Sequence, residues 1–315
     1  MEGNCLLRTT ELAVGYSETP VLQGLNLQLR AGVFTCFMGP NGIGKSTLIR
    51  TIAGLQKPLQ GNVTMAESMR QPAVVLTDRV TAGYMTVRQL ITFGRYPYLS
   101  WNLKLAKRDT DAIDEAIERL NLGALAGRRL HELSDGQIQL AQIARVLAQE
   151  TSIILLDEPT AHLDLNNRLE ITLLLRQLAH EGKAVVMATH ELDLALQTAD
   201  EVWLAGNDRS ILTGVPEDLV LQGSFDEIFR FKGFDLRTGK VVHDPHRTLA
   251  VAVDGNNPAA LWTRNALERN GYAIRPGAEL VITLSQNGGG KYIWYLNETR
   301  SYTSIESLLS ALSTL

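Results

Sequence analysis

The chain has 315 residues, of which 45% are hydrophobic, and this length and composition predict about two globular domains. Its formal net charge of −4 gives no electrostatic reason to expect a nucleic acid or an anionic membrane surface as a partner. The two cysteines, Cys5 and Cys36, are too few and too isolated for a disulfide framework or a metal site, which favours a reducing compartment.

The sequence carries no visible targeting or membrane-spanning pattern. Residues 1–16 lack the basic region and the apolar run of a secretory signal. No segment approaches the roughly 18 consecutive apolar residues that a membrane-spanning helix needs. We therefore expect this chain to be soluble by itself.

The first predicted elements lead into a glycine-rich loop. Residues 21–29 alternate apolar and polar side chains, as a half-buried strand does, and residues 33–38 are predicted to form the strand before the loop. A helix is predicted at residues 46–53, directly after it. The loop fits the pattern G-x-x-x-x-G-K-[ST] at every fixed position with Gly39, Pro40, Asn41, Gly42, Ile43, Gly44, Lys45, Ser46 and Thr47.

This loop has the chemistry of a phosphate-binding site. Glycines let consecutive backbone N–H groups surround phosphate oxygens, and the following helix adds the partial positive charge of its N-terminus. Lys45 is expected to place its ammonium on the β- and γ-phosphates, and Ser46 to supply a hydroxyl ligand to Mg²⁺. The order of strand, loop and helix favours this interpretation over a coincidental glycine turn.

The middle of the chain is predicted to be helical. Helices are expected at residues 111–122 and 137–148, and the stretch of about 88–148 is predicted to form a separate lobe. Ser134 and Gly136 precede the second helix. Their N–H groups and the Ser134 hydroxyl are therefore predicted to form a second anion site.

Two carboxylates follow a buried strand. Residues 153–156 are all apolar, and Asp157 and Glu158 come directly after them. Asp157 is expected at the edge of the sheet, where it would hold Mg²⁺ through water, while Glu158 would orient or deprotonate the attacking water. Taken alone, the pair would more simply be a solvated junction between a strand and a turn. The phosphate loop upstream favours the catalytic interpretation.

A histidine follows a second buried strand. Residues 184–187 form a short apolar run that suits a parallel strand, and His190 lies beyond its carboxyl end, where ligands gather in parallel sheets. From there the imidazole would reach the γ-phosphate or the attacking water. Because buried apolar strands alternate with helices, the sequence predicts an α/β domain with a mostly parallel core sheet.

The three motifs in this order, with His190 after them, resemble those of the ATP-binding-cassette (ABC) ATPases. The resemblance covers roughly residues 5–240. It implies a P-loop NTPase domain of ABC type at residues 1–243, with a RecA-like α/β core, an antiparallel β lobe and a helical lobe, and with ATP and Mg²⁺ as cofactors. It also implies a head-to-tail homodimer, in which the ATP site of the opposing copy is completed by Ser134, Gly136 and Gln137.

Individual residues outside the three motifs also resemble positions of this family. Tyr16 resembles the aromatic residue that stacks on adenine, His190 the switch histidine, and Asp164 a residue of the loop that signals across the dimer. The clearest departure is Thr77, which stands where the family has a glutamine that ligates Mg²⁺ and contacts the membrane partner. Either Thr77 or Asp78 is therefore a candidate oxygen ligand in place of that glutamine.

The resemblance also points to a subfamily. Residues 85–90 and 93–98 are similar to those of importer ATPases for iron–siderophore complexes, haem and cobalamin. Physically, they predict a helix that ends in a loop with exposed aromatic residues. This arrangement suits the docking of a short helix from a membrane subunit, although an ordinary helix end gives the same pattern.

The function implied by the resemblance is that of the ATP-hydrolysing subunit of a metal-chelate importer. Its expected partners are integral membrane permease subunits and, indirectly, a substrate-binding protein, with no nucleic acid. Its expected location is cytoplasmic, on the inner face of the cell membrane. Two alternatives stay open at this point: a non-transport ABC ATPase that acts on another protein, and a nucleotide-dependent regulator that hydrolyses little ATP.

Residues 244–315 are predicted to form a small α/β accessory domain. The glycine-rich residues 287–291 lie between two predicted strands and lack a Ser or Thr after the lysine, so they predict a hairpin turn rather than a second phosphate loop. Ligand sensing and support of the dimer are both compatible with this domain. The expected elements are strands at 249–253, 280–284 and 292–296 and helices at 259–270 and 304–312.

Overall fold

The computed structural model describes residues 4–66, 69–77, 84–101, 103–231, 233–236, 238–241, 243–286 and 291–314. The chain divides into two compact units, Met1–Arg230 and Phe231–Leu315. This division comes earlier in the chain than the boundary that the sequence predicts after residue 243. The intervening segment contains two short strands that pair with each other inside the second unit.

The first unit contains the glycine-rich loop together with the strand and the helix that this loop connects. Its strands are β1 (Cys5–Tyr16), β2 (Thr19–Leu25), β3 (Gln28–Arg30), β4 (Phe34–Met38), β5 (Gln60–Met65), β6 (Ala73–Val75), β7 (Ile153–Asp157), β8 (Ala184–Ala188), β9 (Glu201–Ala205) and β10 (Ile211–Gly214). Its α-helices are α1 (Lys45–Ile52), α2 (Val87–Thr92), α3 (Lys107–Arg119), α4 (Asp135–Ala148), α5 (Leu165–His180), α6 (Leu192–Thr198), α7 (Pro216–Leu221) and α8 (Ser224–Phe229).

A six-stranded sheet forms the core of this unit, in the order β10-β9-β4-β8-β7-β6. Neighbours from β9 to β6 run parallel, and β10 pairs antiparallel with β9. Every residue of β4, β7 and β8 is buried, as expected for parallel strands covered on both faces. The predicted α/β core is therefore confirmed, and the glycine-rich loop, Asp157 and His190 all lie at the carboxyl edge of its sheet.

An antiparallel sheet of four strands shares its core with the parallel sheet. β2, β1 and β3 are neighbours in that order, and β5 also pairs with β1. One hydrophobic cluster joins buried residues of β1, of α1 and of β7, among them Leu12, Leu48 and Leu155. This antiparallel lobe therefore fixes the helix that follows the glycine-rich loop.

Residues 21–29, predicted as one strand, contribute to two strands. β2 pairs with residues 12–16 of β1, whereas β3 pairs with residues 5–8. Asn26 lies between the two strands, and its Oδ1 accepts a hydrogen bond from the backbone N–H of Glu11 at 3.0 Å. The alternation of apolar residues continues across this break because both strands place one face on the same core.

The helical lobe contains α2, α3 and α4, which pack against one another. α3 begins about one turn before the predicted start at residue 111, because the Asp109 carboxylate accepts a hydrogen bond from the Ala106 N–H at 2.9 Å. The buried guanidinium of Arg95 joins two helix ends. Its Nε lies 2.9 Å from Asp109 Oδ1, and its Nη1 donates to the carbonyl oxygen of Ala148 at 2.7 Å.

The second unit is a small α/β domain, as predicted for the C-terminal region. Its elements are β11 (Phe234–Asp235), β12 (Lys240–Val241), β13 (Ala250–Val253), α9 (Pro258–Arg269), β14 (Ala273–Ile274), β15 (Leu280–Gln286), β16 (Tyr292–Leu296), β17 (Arg300–Tyr302) and α10 (Ile305–Leu312). A five-stranded sheet has the order β14-β13-β15-β16-β17, and α9 and α10 share a hydrophobic cluster with it.

The hairpin predicted around the second glycine-rich segment is supported by the strands on either side of it. β15 and β16 pair antiparallel, with Gln286 opposite Tyr292, while residues 287–290 lie outside the described residues. The edge strands β14 and β17 are too short to give a periodic pattern, so the sequence did not predict them. Within the described ranges, every helix falls short of the length or the apolar character that a bilayer-spanning segment needs.

Candidate functional site

The glycine-rich loop joins β4 to α1. Gly42 and Gly44 have φ angles of 78° and 111°, which residues with a side chain rarely adopt. Gly44 caps α1, and a β-carbon there would lie 2.7 Å from Val21 Cγ2, so the loop approaches the antiparallel lobe too closely for any side chain. The rest of the loop leads out of β4 through Gly39, Pro40 and Asn41.

The ammonium group of Lys45 folds back onto this loop. Lys45 is 6% exposed, and its Nζ donates hydrogen bonds to the carbonyl oxygens of Gly39 at 3.0 Å and Pro40 at 3.4 Å. Burial lowers the pKa of Lys45, while the negative charges of Glu158 and Asp157 act in the opposite direction. A partly desolvated cation in this position interacts strongly with an anionic group that enters the loop.

Ser46 and Thr47 occupy the first turn of α1 and have different surroundings. Ser46 is exposed, so its hydroxyl is accessible to a ligand beside the loop. Thr47 is buried, and its Oγ1 lies 3.4 Å from the hydroxyl of Tyr16, the last residue of β1. Tyr16 is 55% exposed, so its ring stands beside the loop with a surface accessible to a planar group.

Asp157 ends β7 and presents a buried carboxylate to the loop. It is 2% exposed, and within the described part of the chain its Oδ1 has no hydrogen-bond partner. A buried carboxylate oxygen without a donor needs a cation or a water to offset its lost hydration. Mg²⁺ prefers hard oxygen ligands such as this carboxylate, and the exposed hydroxyl of Ser46 is a second oxygen ligand of this kind.

Thr77 reaches the same sheet edge, two residues beyond the end of β6. Its Oγ1 donates a hydrogen bond to the carbonyl oxygen of Asp157 at 3.1 Å. The hydroxyl proton therefore supports the backbone of the neighbouring strand, and the role of Thr77 as a metal ligand stays a prediction. Asp78, the other candidate ligand, lies outside the described residues.

Glu158 and His190 are brought together from neighbouring strands. The backbone N–H of Glu158 donates to the carbonyl oxygen of Ala188 at 2.9 Å, and Glu158 Oε2 lies 3.7 Å from Nδ1 of His190. Glu158 has a φ angle of 50°, a left-handed conformation that costs about 1–3 kcal/mol in a residue with a side chain. Strain of this kind is typical of functional sites, where it directs a side chain to a required position.

The second predicted anion site differs in detail from the sequence prediction. α4 begins at Asp135 rather than at Gln137, and Ser134 is its N-cap. Ser134 Oγ accepts a hydrogen bond from the Gln137 N–H at 3.3 Å, and Gln137 Oε1 accepts one from the Ser134 N–H at 3.1 Å. This reciprocal capping occupies the Ser134 N–H that the sequence assigned to an anion, and it leaves Gly136 buried inside the first turn.

Asp164 caps the next helix, α5. Its Oδ1 accepts a hydrogen bond from the Asn167 N–H at 2.9 Å, and its Oδ2 accepts one from the Asn167 side chain, also at 2.9 Å. The same side chain lies against Gly136, so the first turns of α4 and α5 are in direct contact. Asn167 could not be identified from the sequence, because an asparagine in a first helical turn belongs to none of the motifs.

A cavity of about 250 Å³ lies between the carboxyl edge of the sheet and α4. Asp157 and Glu158 line it from the sheet, and Gln139 and Gln142 line it from the helix. Neither glutamine belongs to a motif in the sequence. Their spacing of three residues, which places both on one side of a helix, is the signal that could have identified them.

A second cavity, of about 350 Å³, follows the end of α2. Phe93 and Tyr96 line it, are 37% and 45% exposed, and have ring centroids 4.4 Å apart. The prediction of exposed aromatic residues is therefore confirmed for this pair. It is wrong for Tyr98, which is half-buried between the guanidinium groups of Arg70 and Arg95, each 4.3 Å from its ring centroid.

Comparison with protein families agrees with this arrangement. Residues 22–161 match the family described as ABC transporter. This range contains the glycine-rich loop, the start of α4 and the two carboxylates after β7. Residues 248–313 match the family described as iron ABC transporter C-terminal domain.

Individual proteins give the same result. An uncharacterized ABC transporter ATP-binding protein of Methanocaldococcus jannaschii is 39% identical over 72% of this chain and 82% of that protein. The petrobactin import ATP-binding protein FpuD of Bacillus anthracis is 37% identical over 72% of this chain and 87% of that protein. A solved structure described as a metal-chelate type ABC transporter in an inward-facing conformation has a TM-score of 0.66 and 30% identity, over 72% of this chain and 90% of that chain. This chain belongs to the ABC transporter family of ATP-binding proteins and is an ATPase subunit.

Proposed function

We propose that this chain powers the uptake of a metal chelate, such as an iron–siderophore complex, haem or cobalamin. The observation that carries the ATPase part is the convergence of Lys45, Asp157 and the Glu158–His190 pair on one glycine-rich loop. The similarity to a petrobactin import protein and to a metal-chelate transporter supports the class of cargo. The iron transporter family matched at residues 248–313 supports iron as the metal.

In this proposal the loop binds the phosphates of ATP through its backbone N–H groups, and the Lys45 ammonium moves from the loop carbonyls to the β- and γ-phosphates. The ring of Tyr16 stacks on the adenine. Ser46 and Asp157 would hold Mg²⁺, and the Oδ1 of Asp157, which has no hydrogen-bond partner among the described residues, is the feature that fits it. When bound, the metal ion neutralises charge on the transferring phosphoryl group.

Glu158 is the residue that orients the attacking water and accepts its proton. With His190 Nδ1 at 3.7 Å from Glu158 Oε2, the imidazole restricts where this carboxylate can point. The other ring nitrogen of His190 is then free to contact the γ-phosphate. Phosphoryl transfer depends mainly on positioning and on charge neutralisation, which these two side chains and Lys45 provide.

The active unit in this proposal is a head-to-tail homodimer. Ser134, Gly136 and Gln137 at the start of α4 complete the ATP site of the second copy. Asp164 at the start of α5 belongs to the same surface, because Asn167 links the two helix starts. Closure of the dimer on ATP therefore moves α4 and α5 together.

The permease contact in this proposal is the cavity beside Phe93 and Tyr96. Two adjacent exposed rings in a concave site are suited to anchor a short helix from a membrane subunit. The chain would then lie on the cytoplasmic face of the membrane. A substrate-binding protein would act on the opposite face, through the permease.

Reconstitution with its permease in liposomes tests this function. Uptake of a ferric siderophore should require ATP on the side of this chain. The double variant Phe93→Ala, Tyr96→Ala should reduce co-purification with the permease by at least about tenfold, because truncated aromatic anchors typically cost 2 kcal/mol or more, while ATP binding is unchanged. Trp262→Ala, which removes a 65% exposed ring from the second unit, is the matched control.

Two results would contradict parts of this proposal. A chain that hydrolyses ATP at full rate, yet associates with no integral membrane protein, would be a non-transport ABC ATPase. Full ATPase activity with uptake of a metal-free solute would instead agree with the proposed ATP site and would show that the proposed class of cargo is wrong.

A further inference from the structure

The cavity between the sheet edge and α4 contains polar groups that the proposed reaction does not use. Gln142 is 8% exposed, although its side chain carries both a hydrogen-bond donor and an acceptor. Gln139 lies three residues earlier on the same face of α4. Both side chains line the cavity together with Asp157 and Glu158.

Two residues that line this cavity each carry a side-chain atom without a hydrogen-bond partner within the described ranges. One atom is Asp157 Oδ1, an acceptor, and the other is Gln139 Nε2, a donor, and both are buried. Leaving such a group unsatisfied costs about 1–3 kcal/mol. Unpaired donors and acceptors on residues that line one polar cavity favour a polar occupant there, such as a water or a hydrated cation.

The neighbouring hydroxyl does not supply this contact. Thr77 Oγ1 donates its proton to the carbonyl oxygen of Asp157, at 3.1 Å. The remaining side-chain amides that line the cavity are those of Gln139 and Gln142, and both belong to α4. The helical lobe, rather than the sheet, therefore provides the amide groups that line the cavity together with Asp157.

We infer that Gln139 and Gln142 are positioning residues that hold the hydration shell of the metal ion and the attacking water against Asp157 and Glu158. The inference rests on the proposed function, because it takes Asp157 as the carboxylate that holds the metal. The amides would act through water rather than as direct metal ligands. Their donors and acceptors would fix the waters that contact the metal.

This arrangement links the site to the dimer surface. Gln139 and Gln142 lie on the same rigid helix as Ser134, the N-cap of α4, which is assigned to the ATP site of the second copy. Any displacement of α4 on dimer closure moves the two amides relative to Asp157. The two amides would be in place only when α4 is seated, which would make ATP turnover depend on the position of this helix.

The test is the affinity of the full chain for Mn²⁺, a spectroscopic substitute for Mg²⁺, measured by electron paramagnetic resonance with a non-hydrolysable ATP analogue. Gln139→Leu and Gln142→Met keep the side-chain volume and remove the amide. Each should weaken Mn²⁺ binding by about tenfold, as loss of a group that orients metal ligands typically does, and lower kcat with little change in KM. Affinity for the analogue in the presence of a chelator should not change.

The controls separate this inference from the proposed function. Gln177→Leu removes an exposed amide on α5 that bonds to Glu181, and it should change neither quantity. If Asp157→Asn abolishes Mn²⁺ binding while both glutamine variants bind it normally, the role of the two amides is wrong and the proposed site stands. If Asp157→Asn leaves Mn²⁺ binding intact, the proposed metal site itself fails. Thermal unfolding of each variant confirms that it is folded.

Discussion

Gly136 in the first turn of α4 lies against the side chain of Asn167 in the first turn of α5, where a β-carbon at position 136 would approach Asn167 Cγ to 3.1 Å. The Asn167 amide also donates a hydrogen bond to Asp164 Oδ2 at 2.9 Å. Both helix starts belong to the proposed dimer surface. The absence of a side chain at one glycine thus sets the spacing between two parts of that surface.

We expect Gly136→Ala to displace the Asn167 amide from Asp164. Because position 136 is helical, the better helix propensity of alanine offsets the crowding, and the free energy of unfolding should change by less than about 1 kcal/mol. ATP turnover should fall by about 10- to 100-fold, since small misplacements of groups that assemble a site have effects of this size. Phosphate release and chemical denaturation measure the two quantities.

Gly123→Ala is the matched control, because a β-carbon there meets no atom of the described residues within 4 Å. It should leave turnover unchanged. Asn167→Ala combined with Gly136→Ala removes the crowded side chain and should recover part of the lost activity in a double-mutant cycle. Equal losses in the control, or strictly additive losses in the cycle, would contradict the proposed contact.

Glu158→Gln is expected to separate ATP binding from hydrolysis. The amide keeps the size of the side chain but cannot accept the proton of the attacking water, so kcat should fall by at least about 100-fold. ATP should still bind and should hold the chain as a dimer, visible by size-exclusion chromatography with ATP. Glu181→Gln, at the end of α5 and outside the site, is the control, and normal turnover of the Glu158 variant would remove this residue from its role.

The parts of the site that the sequence predicts are those encoded by consecutive residues. The loop from Gly39 to Thr47 needs glycines, a lysine and a hydroxyl at fixed spacing, and the structure places this loop between β4 and α1 as expected. Asp157 is equally local, since an apolar strand that ends in a carboxylate puts that carboxylate at the edge of the sheet. In both cases the backbone geometry follows from a few neighbouring residues.

The parts that the sequence does not predict depend on contacts between distant segments. Asn167 contacts Gly136 only because α5 lies beside α4, and Gln139 lines one cavity with Asp157 only because of how α4 packs in the fold. The break inside residues 21–29 arises because the segment pairs with two different halves of β1. Periodicity along a segment carries no information about such pairing, so these features need the folded structure.

Lys45→Met is expected to stabilise the nucleotide-free protein while abolishing ATP binding. Burial lowers the pKa of Lys45 below its ordinary value of 10.5. Between the folded and the ordinary pKa the unfolded chain binds more protons, so stability rises with pH in that window. Below the folded pKa, the buried charge carries its full cost. The gain in melting temperature from Lys45→Met should therefore be largest around pH 7 and smaller around pH 10.

Thermal unfolding without nucleotide, at both pH values, measures this effect. Lys57→Met removes an exposed lysine and should show no such dependence on pH. A stabilisation by Lys45→Met that is constant or grows with pH would show that burial of the ammonium is not its cause. A residue that binds a charged ligand commonly lowers the stability of the protein without that ligand, so its replacement raises stability and abolishes binding.

Arg95→Met is expected to destabilise the helical lobe by about 3–5 kcal/mol, because breaking a buried ion pair leaves an uncompensated charge. Arg95 is 1% exposed and Asp109 is 6% exposed, so water cannot replace the lost guanidinium. The Ala106 N–H and the Arg95 guanidinium both hold the pKa of Asp109 below its ordinary range. Chemical denaturation measures the loss of stability.

The variant Arg88→Met tests whether burial of the ion pair is the reason for the loss of stability expected for Arg95→Met. Arg88 pairs with Asp114 on the surface, with side chains 44% and 54% exposed, and pairs of this kind contribute about 0–1 kcal/mol. Equal losses in the two variants would contradict the role assigned to burial. Asp109→Leu combined with Arg95→Met removes the stranded carboxylate but also its hydrogen bond to the Ala106 N–H at the start of α3, so it should recover only part of the loss.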